Sequence, residues 1–250
     1  MMTLRFPALF ADAGALWRAE RTLLLPLAGM FFLVPMLGII LLIAASAPPL
    51  DVPADQAAAA LQEFYQRFGQ TNIVPLALAN AGIDFGIFAI LNLYLQGEGR
   101  TLGGVLLHTL RSLFPFLVLE LLVGFAFSLG ISLFIVPGLF VFARTWLAAP
   151  ALAANPKAGL TGALREGWVR SRGSAGFILL AVAAVVFVGG LGVMAIGSVV
   201  VGLVAGLFGG GGVAETLSFL LISMVGAGIW TALTLLRLAA YRATGTRQGM

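Results

Sequence analysis

Three ionisable side chains, Asp84, Glu120 and Arg144, interrupt stretches that are otherwise apolar. A charge at the centre of a bilayer costs ~2.5–3.5 kcal/mol on insertion scales, so each must face protein or water rather than lipid. At a rise of ~1.5 Å per helical residue, Asp84 and Arg144 differ in depth by roughly 7 Å, within reach of a guanidinium on a flexible stem. Glu120 lies ~12 Å from the height of Arg144, too far for a direct pair in straight helices. Two chemistries fit. The three residues line a polar path or binding site for a small solute, extended by Asn80 and Asn92. Alternatively, Asp84 and Arg144 form a buried clamp that fixes helix order, with Glu120 turned toward Arg111 or Arg170.

Other chemistries lack their residues. The chain has no cysteine, which removes disulfides, thiolate catalysis and cysteine-ligated metals. His108 is the single histidine, so a transition-metal site is not expected. No Gly-x-Ser-x-Gly elbow occurs, and an intramembrane aspartyl dyad would need a second aspartate beside Asp84. The expectation is a protein that is not an enzyme and uses no cofactor or metal.

The elements that must position these residues follow from composition. Hydrophobic residues make up 60% of the 250 and charged residues only 10%, against ~45–50% and ~25% in soluble domains. So few charges cannot cover a water-facing surface, and the solvent for most of the chain must be lipid. Six segments reach the ~20 apolar residues that a ~30 Å hydrocarbon core demands. They are roughly 22–46, 73–95, 113–135, 138–154, 175–204 and 216–239. The first is too long for a cleavable signal and is read as a retained span. Helices are the expected form, because amides in lipid must bond within their own segment. The fold expected is therefore all-α, a polytopic six-helix bundle in one membrane domain over 1–250. Pro137-Gly138 reads as the tip of a tight hairpin.

Cations orient the spans. Of the fourteen Lys and Arg, all but Arg67 and Arg144 fall in the N-terminal segment, the second-to-third and fourth-to-fifth connections, or the C-terminal end. The positive-inside rule then puts both termini in the cytoplasm. A repeated pattern leads into the spans: Gly14-Ala-Leu16 with Arg21, Gly104-Val-Leu106 with Arg111, and Gly162-Ala-Leu164 with Arg170. Each marks an amphipathic helix in the cytoplasmic interface followed by a hairpin, giving units at about 8–95, 101–154 and 157–240. Arg18, Arg21, Arg111, Arg165, Arg170 and Arg172 are the candidate headgroup contacts. The outer loop 47–72 should carry a short amphipathic helix on which Leu61, Phe64, Tyr65 and Phe68 share a face.

A net charge of +4 and a pI near 10.3 could suggest nucleic acid. With the cations beside apolar spans, anionic lipid headgroups are the fitting counter-charges instead. Small residues recur four apart at Gly82/Gly86, Gly124/Ser128/Ser132 and Ser198/Gly202/Gly206. Such faces let helices approach closely, within one bundle or, as the sharper alternative, across a homodimer or to another membrane protein. Gly209–Gly212 reads as a flexible outer turn.

Pro137-Gly138, then Arg144 in the following helix, then Trp168-Val-Arg170-Ser-Arg172-Gly173 leading into the next span form a specific combination over about 130–180. In this the chain resembles the YciC-like integral membrane proteins and the membrane domain beside some glycerophosphoryl diester phosphodiesterases. The resemblance implies a bacterial inner-membrane protein. The phosphodiesterase catalytic domain has no counterpart here, so its activity does not carry over. The function expected is non-enzymatic, in envelope or lipid homeostasis or as partner to another membrane protein. A small-solute transporter or channel using Asp84, Glu120 and Arg144 is the alternative.

Overall fold

The computed structural model describes residues 5–46, 56–96, 101–208 and 212–245. Every regular element among them is helical. Six helical stretches are long and apolar enough to cross a membrane: Phe6–Ser46, Ile73–Leu95, Leu113–Leu133, Ile135–Ala154, Ser174–Gly197 and Thr216–Gly245. These match the six segments expected from hydropathy.

The first stretch is compound. Helix α1 (Phe6–Ala28) passes through a π-helical turn at Gly29–Leu33 into α2 (Val34–Ser46). Within α1, Glu20 leaves helical geometry at φ −124°, ψ 21°, dividing the expected interfacial segment from the span. Downstream, Pro26 and Pro35 remove two amide donors, and the wide turn lies between them. There the Val34 amide bonds the Gly29 carbonyl. Phe31 and Phe32 lie in this turn, against Gly86 of α4 (Ile73–Leu95). A Cβ on Gly86 would sit 2.6 Å from Phe31 Cβ, and one on Gly82 would sit 3.3 Å from Pro35 Cγ. The Gly82/Gly86 face is thus used inside the chain.

Helix α3 (Ala57–Thr71) supplies the amphipathic helix expected in the outer loop, while 47–55 lies outside the described residues. Of its apolar face, Phe68 is buried and Leu61 and Tyr65 are exposed. The other two expected interfacial helices are α5 (Leu102–Arg111) and α9 (Gly159–Arg170). Both end at a serine outside helical geometry, Ser112 at φ −105°, ψ 10° and Ser171 at φ −87°, ψ 10°. These serines occupy equivalent positions in the repeat, so the shared sequence pattern has a shared backbone break. Each helix buries one side in protein: Val105 and Thr109 of α5, Ala163 and Gly167 of α9.

Helix α6 (Leu113–Leu133) ends at Phe134, whose extended backbone (φ −165°, ψ 158°) separates it from α7 (Ile135–Thr145). The reversal expected at Pro137-Gly138 falls at Phe134 instead. Pro137 sits in the first turn of α7, where a missing donor costs nothing. Gly138 serves contact: a Cβ on Gly130 would lie 2.7 Å from Gly138 Cα. The fourth span breaks again at Trp146 and Leu147 before α8 (Ala148–Ala154). All of α8 except Ala154 is buried, and α9 lies against it. A Cβ on Gly167 would be 2.8 Å from the Ala148 nitrogen. Long helices α10 (Ser174–Phe208) and α11 (Val213–Gly245) complete the bundle. Gly209–Gly211 lie outside the described residues, as does the side chain of Ser198.

The core forms where α4, α6, α8 and α11 meet. Phe88 and Phe116 stack at 4.3 Å between centroids, and Leu91, Leu119, Leu147 and Leu238 are fully buried around them. Polar contacts gather at one end of this core. Tyr94 Oη donates to the Leu16 carbonyl at 3.0 Å, and Arg242 donates to the Tyr94 carbonyl at 3.0 Å. Gln96 donates to the Ala153 carbonyl. These contacts bring part of α1 and the last turns of α4, α8 and α11 together.

Candidate functional site

The polar centre of the core is an ion pair between α6 and α11. Arg237 Nη2 lies 3.0 Å from Glu120 Oε1, with side chains 8% and 20% exposed. Arg237 also donates from Nε to the Trp146 carbonyl. The sequence explains why that carbonyl is available. In an α-helix the amide of residue 150 would bond the carbonyl of residue 146, but residue 150 is proline and has no N–H. Pro150 therefore creates the notch between α7 and α8 and frees an acceptor inside the core, where an orphan would be costly. Asp84, half-buried on α4, has Glu120 as a like-charged neighbour and Arg237 as an opposite one. Among the described residues, Glu120 alone is within ion-pair distance of Arg237.

Arg144 takes no part in this network. Its Nη1 donates to the Ser171 carbonyl at 2.7 Å and reaches Ser171 Oγ at 3.4 Å and the Trp168 carbonyl at 3.5 Å. The guanidinium lies 5.2 Å from the ring centroids of both Phe140 and Trp168. It therefore caps the C-terminal end of α9, where helix carbonyls lack partners and carry partial negative charge. No Asp84–Arg144 ion pair forms among the described residues, nor does Glu120 pair with Arg111 or Arg170. Depth counting along straight helices could not anticipate the bend at residues 146–147.

A second polar cluster ties α9 to α11. Arg170 pairs with Glu166 at 2.7 Å, donates to the Tyr241 carbonyl at 3.2 Å and lies 4.1 Å from the Tyr241 ring centroid. Tyr241 Oη donates to Glu166 Oε1 at 2.8 Å. A third contact joins α4 to α5, where buried Asn92 donates to Thr109 Oγ1 at 3.0 Å. Asn80 is exposed and, among the described residues, donates to the Leu76 carbonyl of its own helix, so Asn80 and buried Asn92 do not share a lining.

Of the six candidate headgroup arginines, Arg18, Arg21, Arg111, Arg165 and Arg172 are exposed. Arg170 belongs to the Glu166–Tyr241 cluster. Sequence reading also placed Arg237 among the interfacial cations, whereas it is a core residue. The signal was present: a single arginine among Leu235, Leu236, Leu238, Ala239 and Ala240 meets the same criterion that singled out Arg144. Glu166 and Tyr241 carried no such signal.

Among the described residues, no three His, Cys, Asp or Glu side chains gather as metal ligands. The chain matches no family model, no curated protein and no solved structure.

Proposed function

We propose that this is a non-enzymatic multi-pass protein of a bacterial cytoplasmic membrane, acting in envelope or lipid homeostasis or as a partner to another membrane protein. Both termini face the cytoplasm, and three interfacial helices each lead into a hairpin. The resemblance over 130–180 supports kinship with the YciC-like proteins. The observation that carries the reading is the division of labour among the arginines. Arg144, Arg170 and Arg237 are held by protein partners, while Arg18, Arg21, Arg111, Arg165 and Arg172 stay exposed on or beside α1, α5 and α9. Basic residues beside apolar spans attract anionic headgroups at about 1 kcal/mol each. The solute-carrier reading loses its third residue, because Arg144 is bound to the end of α9. The exposed Gly124/Ser128/Ser132 stripe on α6 is where contact with a second copy would fall.

The test is lipid co-purification. Changing Arg18, Arg21, Arg111, Arg165 and Arg172 together to glutamine, with Arg170 and Arg237 left intact, should strip most of the anionic lipid that the wild-type protein retains in detergent. Unchanged lipid composition would refute the reading. Orientation is checked separately with Leu61→Cys and Arg165→Cys, which should react with an impermeant thiol reagent from opposite sides of the membrane.

A further inference from the structure

We propose that the groove between α1 and α11 holds one acyl chain of an anionic phospholipid, whose phosphate lies against Arg18 and the indole N–H of Trp17. This rests on the anionic-lipid reading above and narrows it to one site.

The groove has a volume of about 480 Å³, within the ~300–1,000 Å³ range of small-molecule sites. Small residues make it: Gly14, Ala28 and Gly29 on the α1 side, Ala227, Gly228 and Ala232 on the α11 side. The π-turn after Pro26 begins at Gly29, within this wall. The hydroxyl of Thr231, also on the wall, donates to the Ala227 carbonyl at 2.8 Å, so the interior suits hydrocarbon better than water. From Met224 to Leu236, α11 rises ~18 Å, close to the ~15 Å depth of one leaflet of hydrocarbon. An unfilled apolar groove would forfeit dispersion contacts along its length.

The rim supplies the headgroup preference. Trp17 lines the groove, and its indole N–H has no hydrogen-bond partner among the described residues. A tryptophan with one apolar side and one free donor suits the headgroup boundary. Arg18 is exposed and lies outside the lining, but its Nε donates at 3.2 Å to the carbonyl of Gly14, a wall residue. That bond ties the guanidinium to a residue of the wall and, among the described residues, leaves its two terminal nitrogens for a phosphate, which arginine can grip bidentately. Arg21 is exposed nearby in sequence. Nearby acids lie elsewhere: Asp12 lines a separate recess with Ala15, Ala19 and Arg242, and Glu20 lies near Tyr94 of α4. No acidic residue lines the groove, and the cation bonded to its wall is Arg18.

Native mass spectrometry of the delipidated full-length protein, titrated with phosphatidylglycerol or phosphatidylcholine, tests this. The wild type should take up one phosphatidylglycerol at lower concentration than phosphatidylcholine. Gly228→Leu fills the groove. A Cβ there meets nothing within 4 Å, and leucine favours helix over glycine, so the variant should fold normally and lose that lipid. Arg18→Gln should weaken phosphatidylglycerol binding about fivefold and phosphatidylcholine binding less, because the choline cation offsets the phosphate charge that both lipids carry. Retention of the tight lipid by Gly228→Leu would overturn the proposal, as would equal binding of both lipids. A wild-type dimer that Gly228→Leu dissociates would assign the groove to a second copy and overturn it too. If only the groove assignment is wrong, the bulk anionic preference survives and still falls when the five headgroup arginines are neutralised together. If that bulk preference is absent, the wider reading has failed.

Discussion

Arg237→Met should be the most damaging single substitution in the interior. The guanidinium sits 3.0 Å from Glu120 with only 8% of its side chain exposed. At an effective dielectric of ~20, two unit charges at that distance attract by roughly 5–6 kcal/mol, and burying both offsets much of the gain. The intact pair therefore adds little net stability, but removing one partner strands the other. Loss of a single member of a buried pair costs ~3–5 kcal/mol. Arg237→Met also orphans the Trp146 carbonyl, a penalty of ~1–3 kcal/mol that overlaps with the first. Equilibrium unfolding in detergent should show a total loss of at least ~3 kcal/mol. Glu120→Leu combined with Arg237→Met should recover more than half of it. The Pro150 notch gives a sharper check. Pro150→Ala returns an amide able to bond the Trp146 carbonyl, so Arg237→Met should cost ~1–3 kcal/mol less in that background. If the two substitutions add to within ~0.5 kcal/mol, the carbonyl is not a partner of Arg237. An Arg237→Met protein as stable as wild type would refute the whole argument.

Two further outcomes follow from the packing. Arg144→Gln removes the cation that caps α9, so hydrogen exchange should accelerate at residues 168–173. Arg144→Lys should rescue this only in part, because lysine lacks the planar multi-donor guanidinium that reaches the Ser171 carbonyl and lies 5.2 Å from the Phe140 and Trp168 ring centroids. Gly138→Ala should destabilise the protein by ~1–3 kcal/mol through overpacking, since its Cβ would lie 2.5 Å from Ile131 side-chain atoms and 2.9 Å from the Ile131 nitrogen. Gly124→Ala on the same pair of helices meets open space and serves as the control in thermal unfolding.

The membrane spans and connecting helices were legible because their causes are local. Apolar run length decides whether a helix can span lipid, and backbone bonds from residue i to i−4 close within the segment. The same locality made α3, α5 and α9 readable from periodicity, and it explains why the repeat at Ser112 and Ser171 produces the same break twice. The turn before α7 was misplaced by three residues because proline and glycine also suit a first helical turn and a close contact.

Which charges meet was not legible, because pairing depends on the azimuth and bend of helices distant in sequence. Arg144 and Arg237 are both single arginines in apolar surroundings, yet one caps α9 and the other neutralises Glu120. Nothing within a few residues of either distinguishes them. The difference arises at Pro150, whose missing N–H bends the fourth span and frees the carbonyl that Arg237 reaches. Composition and periodicity by themselves determined six apolar helices long enough to span a membrane, with basic segments between them, because a continuous apolar run of ~20 residues satisfies its own amides in lipid as a helix. Only the tertiary structure decided which of those basic residues lie in the core and which remain on the surface, because burial of a cation depends on the partners that distant helices bring to it.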